Sequence, residues 1–347
     1  MTQKSTLGLL IAAVAAGALA AYLMFQWLLG PVQPATDFSR PPEAKIVDIA
    51  EGMTLRQLAA KLEQERLIKS QWTFVLLGKL TAADRRIKVG EYEVHAGMRP
   101  SEMLAEFLSG RVVLYQVTIP EGYTIVELAQ VYAQRGVADP EDLIRLAHDG
   151  EFIRSLGLEA PSLEGYLFPD TYKFARRTKP KEILTEMVQG LQNVLTPELQ
   201  QRAQEIHMTF HQVLTLASVI EKETGAAQER EFISAVFHNR LKRGIPLQSD
   251  PTVIYGLESF DGNLRKRDLD SKSPYNTYRV RGLPPGPIAN PGLGSIRAAL
   301  YPAPTAHLYF VSRNNGTHQF SSTLAEHNRA VDKYQRHRAA KTVRRSL

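Results

Sequence analysis

The sequence predicts a mixed α+β protein, on three observations. Short alternating strands, each followed by a Gly turn and an N-capped amphipathic helix, occur three times in the first half. A helix apolar around nearly its whole circumference lies in the second half, and it ends in an acid. Two strand-like runs, residues 307–310 and 318–320, and a helix from residue 321 to about 338 close the chain. The expected order is a short N-terminus over residues 1–6, a transmembrane anchor over 7–29 and a Pro-rich spacer over 30–43. A small α+β module over 44–115, a larger α+β domain over 116–334 and a basic tail over 335–347 complete it.

At 347 residues the chain is long enough for two domains with real cores, and 44% hydrophobic with 22% charged residues is ordinary globular composition. It has no cysteine. Disulfides and thiolate metal sites are therefore excluded. Residues 7–29 read L-G-L-L-I-A-A-V-A-A-G-A-L-A-A-Y-L-M-F-Q-W-L-L, without a charge. At about 1.5 Å per residue, such a helix spans the roughly 30 Å hydrocarbon core of a bilayer. The run exceeds the roughly 7–15-residue core of a signal peptide and continues past its small residues, so an uncleaved anchor is expected. Lys4 is the one charged side chain ahead of it. A short N-terminus inside and a large domain outside is the simplest topology.

The formal charge of +6 is carried entirely by the tail, where Lys333, Arg336, Arg338, Lys341, Arg344 and Arg345 stand without an acid. The body is neutral. The basic pI is thus no sign of a nucleic-acid groove; a solvated tail fits, with contact to anionic lipid or cell wall as the alternative.

Pro31, Pro34, Pro41 and Pro42 make the next stretch an extended spacer. A repeat follows. V-D-I-A-E-G-M-T-L-R-Q-L-A at residues 47–59 matches V-T-I-P-E-G-Y-T-I-V-E-L-A at 117–129, and Y-E-V-H-A-G-M-R-P-S-E-M-L at 92–104 has the same shape. Three copies at unequal spacing do not make a solenoid. They suit small α+β modules in series, and the pattern resembles the LysM-type modules that bind N-acetylglucosamine polymers. Simple scaffolding is the other reading. Asp139-Pro140-Glu141, Thr178-Lys179-Pro180 and Thr196-Pro197-Glu198 each open a further helix.

The central helix reads T-F-H-Q-V-L-T-L-A-S-V-I-E-K-E-T-G, residues 209–225. Thr209 and Gln212 have the spacing of a capping box. Val213, Leu214, Leu216, Ala217, Val219 and Ile220 leave no polar face, so the helix is expected to be buried. Glu221 ends it, with small Ser218 and Ala217 one turn back. The helix dipole and burial both disfavour the charged form of an acid placed there. A carboxyl that keeps its proton can serve as a general acid. The plainer alternative is a solvated helix end paired with Lys222. Glu223 should point elsewhere.

Several loops look built for a site. E-G-Y-L-F-P-D-T-Y at 164–172 offers Glu164 and Tyr166; L-Q-S-D-P-T-V-I-Y-G at 247–256 offers Gln248, Asp250 and Thr252. S-P-Y-N-T-Y at 273–278 and G-L-P-P-G-P-I-A-N-P-G at 282–292 offer Tyr275, Asn276, Tyr278 and Asn290, neutral groups suited to sugar hydroxyls and acetamido groups. Prolines at this density exclude regular structure and leave little entropy to lose. His207 and His211 are four apart without the following Glu of a zinc helix, and neither a phosphate-binding loop nor a nucleophile elbow is present. No metal and no cofactor is expected.

With these segments together, the chain resembles the endolytic murein transglycosylase family, the YceG-like proteins. L-A-S-V-I-E-K-E-T at residues 216–224 and F-S-S-T-L-A-E-H-N at 320–328 join the loop motifs above in carrying the resemblance, which extends over nearly the whole chain short of the tail. It implies an inner-membrane protein whose catalytic domain faces the cell wall in the periplasm. It implies cleavage of the β-1,4 bond from N-acetylmuramic acid to N-acetylglucosamine inside nascent peptidoglycan strands, leaving 1,6-anhydro ends and limiting glycan length. It places the catalytic acid on Glu221 and suggests a bifunctional penicillin-binding protein as partner. Ser218 and the loop residues would bind substrate. A hydrolytic muramidase would need a second acid, for which Asp250, Asp170 and Glu164 are available. A wall-binding scaffold without catalysis is the third reading.

Overall fold

The structure, a computed structural model, describes residues 3–33, 43–223 and 225–336. Most of the expected spacer and the tail from residue 337 lie outside these residues. The architecture is mixed α+β, and contacts divide the chain into Met1–Tyr115 and Gln116–Leu347.

The first unit begins with α1, Gln3–Leu28. Its stretch Leu10–Leu28 is long and apolar enough to cross a membrane, as a span or a signal sequence would be. Leu10, Val14, Leu19 and Trp27 all stand exposed, so no protein core receives them. Then come β1 (Ala44–Ile49), α2 (Leu55–Gln64), α3 (Gln71–Leu80), β2 (Gly90–His95) and α4 (Pro100–Ser109). β1 and β2 pair antiparallel, with Val47 opposite Tyr92. Thr54 and Gln57 form the capping box of α2. The helix α3 had no counterpart in the sequence reading, because its Trp, Thr, Phe and Val favour strands as much as helices. Ser70 caps it, and Gly78 lets it lie against Leu55, where a Cβ would come within 2.6 Å of the Leu55 side chain. Val47, Leu58, Leu62, Phe74, Tyr92 and Phe107 form the core of this unit, the last two rings meeting edge to face at 5.1 Å.

In the second unit, β3 (Tyr115–Thr118) pairs with β4 (Thr171–Phe174). The third copy of the repeat therefore finds its strand partner far along the chain, while the strands of the first two copies pair with each other. The helices are α5 (Ile125–Gln134), α6 (Pro140–Ala147), α7 (Gly150–Ser155), α8 (Pro180–Val194), α9 (Pro197–Glu205), α10 (Phe210–Glu223), α11 (Arg230–Lys242), α12 (Asp250–Tyr255) and α13 (Leu293–Leu300). A hairpin of β5 (Tyr309–Ser312) and β6 (His318–Ser321) leads to α14 (Leu324–Val331). The last helix is shorter than expected, because the chain passes into a π-helical turn over Asp332–Arg336. A 3₁₀ turn at Ala227–Glu229 leads directly into α11.

Helix α10 is the axis of this unit. Every residue from Val213 through Ile220 is buried, and α9, α11, α12 and α13 pack around it. The capping box expected at its start is present: the Thr209 N–H donates to Gln212 Oε1 at 2.8 Å, and the Gln212 N–H donates to Thr209 Oγ1 at 3.2 Å. Its two buried hydroxyls are satisfied within the helix, Thr215 donating to the His211 carbonyl and Ser218 to the Thr215 carbonyl, both at 2.7 Å.

Candidate active site

The proline-rich loop 282–292 runs along α10 from its first turn to its last. His211 Nε2 donates to the Pro285 carbonyl at 2.9 Å, the Ile288 N–H donates to Ser218 Oγ at 3.0 Å, and the Gly292 N–H donates to Glu221 Oε2 at 3.0 Å. A loop with its φ angles fixed by proline holds this course at low entropic cost.

The third of these contacts lies at the acid end. The Glu221 side chain is 7% exposed. Arg230 Nη2 donates to its Oε1 at 3.3 Å, and the same nitrogen donates to Glu121 Oε2 at 3.3 Å. Glu221 is therefore not a solvated end paired with Lys222; Lys222 donates instead to the Gly122 carbonyl at 3.2 Å. Two carboxylates thus flank one guanidinium. Glu121 is about half exposed and Glu221 nearly enclosed. A side chain at Gly292 would run into the Glu121 carboxylate, and Gly122 packs on the Glu221 side chain in a left-handed conformation, φ +79°. Arg230 Nε is buried without a hydrogen-bond partner among the described residues.

Asn290 holds the surrounding loops. Its Oδ1 accepts the N–H groups of Gly165 at 2.9 Å and Leu167 at 3.0 Å; its Nδ2 donates to the Tyr123 carbonyl at 2.8 Å and to Glu164 Oε1 at 3.3 Å. Backbone bonds from Gly122 to Asn290 and from Asn290 to Tyr123 complete the clamp, at 2.8 and 2.9 Å. The segment carrying Glu121 is thereby fixed beside Glu221.

Most of the residues expected to bind substrate face inward. Ser218, Thr252, Asn276 and Asn290 have no exposed surface, and Glu164 and Tyr166 have almost none. In the structure these six side chains are buried and their polar atoms are engaged in holding the loops. Asn276 Nδ2 donates to the Leu269 and Ser271 carbonyls, Thr252 joins Thr277 and Ser249, and the Tyr166 hydroxyl meets His211 Nδ1 at 2.7 Å. Gln248 and Asp250 are exposed; Tyr275 and Tyr278 are half-buried, with the Tyr278 hydroxyl donating to Asp250 at 2.6 Å.

Two further carboxyls are shifted. Burial raises Glu164 to about 8, against weaker opposition from the Ile125 N–H and the Tyr255 hydroxyl that reach it. Burial likewise raises Glu223 to about 7, with the Ser249 hydroxyl bonded to it and Asp250 nearby. Each folded-state carboxyl keeps a proton that the unfolded chain releases near 4.5. Their contribution to stability is complete below that pH and is lost as pH rises to about 8 and about 7 respectively. A Glu164→Gln variant is expected to lose one proton's share of this slope, about 1.4 kcal/mol per pH unit, between pH about 5 and about 8. Thermal unfolding across that range checks it; an unchanged slope contradicts it.

Glu121, Arg230 and Gly292 were not among the expected site residues. Glu121 had a faint signal, an acid in the same Gly turn as Glu51 of the first copy, where it reads as turn chemistry. Arg230 had none, since its partners lie 9 and 109 residues away.

By fold and site, this is a mixed α+β protein that presents an enclosed, ion-paired carboxylate at the tip of its core helix. The chain belongs to the YceG-like family, whose profile matches residues 47–333. It is 34% identical over 304 residues to the endolytic murein transglycosylase of Bacillus subtilis, covering 83% of this chain and 84% of that one. It is 28% identical over 342 residues to the endolytic murein transglycosylase of Streptococcus pneumoniae D39, covering 89% of this chain and 61% of the longer relative. A crystal structure of a putative YceG-like protein from Listeria monocytogenes aligns with TM-score 0.58 at 33% identity, covering 83% of this chain and 98% of that one.

Proposed function

We propose that this protein is a peptidoglycan lytic transglycosylase acting within glycan strands, with Glu221 as its acid and base. The observation that carries the reading is the enclosed Glu221 carboxyl, bonded by a backbone N–H and a guanidinium at the end of a rigid helix. The names of the relatives support the same chemistry. The bond cleaved is the β-1,4 link from N-acetylmuramic acid to N-acetylglucosamine. Glu221 gives its proton to the glycosidic oxygen, and the C1–O bond breaks. The C6 hydroxyl of the muramyl residue then closes on C1 and returns its proton to Glu221, leaving a 1,6-anhydro ring. No water enters the product.

Exposed Gln248 and Asp250 and half-buried Tyr275 and Tyr278 are the substrate contacts in this reading. Helix α1 anchors the protein in the inner membrane with its larger unit in the periplasm, where a bifunctional penicillin-binding protein would supply nascent strands. The β-α-α-β order of residues 44–95 supports a LysM-like, glycan-binding module.

Glu121 favours a second reading. A partly exposed carboxylate beside the first gives a hydrolytic muramidase the base it needs to activate water. Borohydride treatment of the products separates the two. Anhydro ends resist reduction, as the lytic mechanism requires; hemiacetal ends that take up hydride would establish hydrolysis and overturn it.

A further inference from the structure

A cavity of about 960 Å³ opens at the other end of α10, remote from Glu221. Its rim carries Lys242 and Arg281, both exposed and without an ion-pair partner among the described residues. His207, His211 and His238 line it too, and no Asp or Glu does. Met208 and Leu283 give it apolar wall. His211 spends both ring nitrogens on Tyr166 and Pro285, so it shapes the wall, and the net positive charge comes from the two long cations. A concave site with two unneutralised cations, apolar wall and no acid is complementary to an organic anion.

The cavity is also connected to the acid. Pro284 and Pro285 form one side of it and belong to the loop whose far end, Gly292, bonds Glu221. From His211 to Glu221 is ten residues of continuous helix, about 15 Å. A ligand held here would touch the first turn of the helix, and the near end of the loop, whose far ends carry the acid.

We infer that this cavity binds the carboxylates of the peptide stems attached to the glycan, through Arg281 and Lys242, and so favours strands that still bear peptides. The inference rests on the proposed function for the identity of the strand, but its binding test does not.

The test uses the full-length protein and a double variant, Lys242→Gln with Arg281→Gln. Both side chains are exposed, and an unchanged unfolding temperature verifies the fold. Calorimetry measures binding of a muramyl peptide with free carboxylates and of the same compound with those carboxylates amidated. The wild type is expected to bind the free acid about ten-fold tighter than the amide, and the double variant to lose that difference. Equal binding of both compounds by wild type overturns the inference, as does a preference retained by the double variant. So does displacement of the peptide by millimolar inorganic phosphate, which would make the site a phosphate site. Cleavage of peptide-bearing and peptide-stripped strands is then compared. The double variant should keep its rate on stripped strands and lose the advantage on peptide-bearing ones. If neither strand is cleaved by wild type while the free acid still binds, the proposed function fails and the acidic-peptide site stands.

Discussion

A Glu221→Gln variant is expected to release strand fragments about 10²–10⁴-fold more slowly than wild type while remaining folded. The amide keeps the size of the acid and one acceptor oxygen. It keeps no transferable proton, so neither the protonation of the glycosidic oxygen nor the return step can run through it. The structural cost is local. Gly292 and Arg230 both donate to the carboxylate, and an amide can accept from only one of them. The other donor then faces an NH₂ group, at a cost of about 1–3 kcal/mol, smaller than the stability of a typical domain. Single-turnover release from purified sacculi, read beside thermal unfolding, separates the two effects. Loss of turnover together with loss of fold would leave the acid's role unsupported; near-native turnover in a folded variant removes Glu221 from the mechanism.

An Asn290→Leu variant should cause the largest loss of stability. Leucine repeats the branched shape of asparagine with a larger volume, so any crowding in this fully buried site adds to the loss. The change strands the Gly165 and Leu167 N–H groups, removes a second donor from the Tyr123 carbonyl, and takes a donor from Glu164. Each buried group left unpaired costs about 1–3 kcal/mol. Two stranded N–H groups alone make the expected loss about 2–6 kcal/mol, a large share of the roughly 5–15 kcal/mol that holds a domain together. Urea unfolding measures it. A loss below about 1 kcal/mol would mean that water or neighbouring groups replace the side chain, and that the clamp contributes little. Activity should fall with stability, since the Asn290 side chain also bonds the Tyr123 carbonyl in the turn holding Glu121.

The parts legible in the sequence were those with local causes. Helix α10 announced itself by an apolar circumference and a capping box, and both features are in place. Caps with N-terminal prolines located α6 and α9 in the same way, and the proline alone marked α8. The site was legible only at its centre. Glu221 stood out because an acid ends a helix with nowhere polar to go, and the burial expected of it is found. Its ion-pair partner could not be found, because Arg230 and Glu121 meet it only through tertiary packing. The inward-turned loop residues were ambiguous for a related reason. Asn276 and Asn290 have the chemistry of sugar-binding groups, yet that chemistry serves equally to satisfy buried backbone in loops without regular ladders. Sequence alone does not distinguish an amide turned inward from one presented to a ligand.

The most direct test is mass spectrometry of the fragments released from sacculi by the full-length protein and by its Glu221→Gln variant at equal concentration. The account predicts 1,6-anhydro ends from the wild type and no new ends from the variant. Reducing ends from the wild type, or anhydro ends in equal yield from the variant, would contradict it.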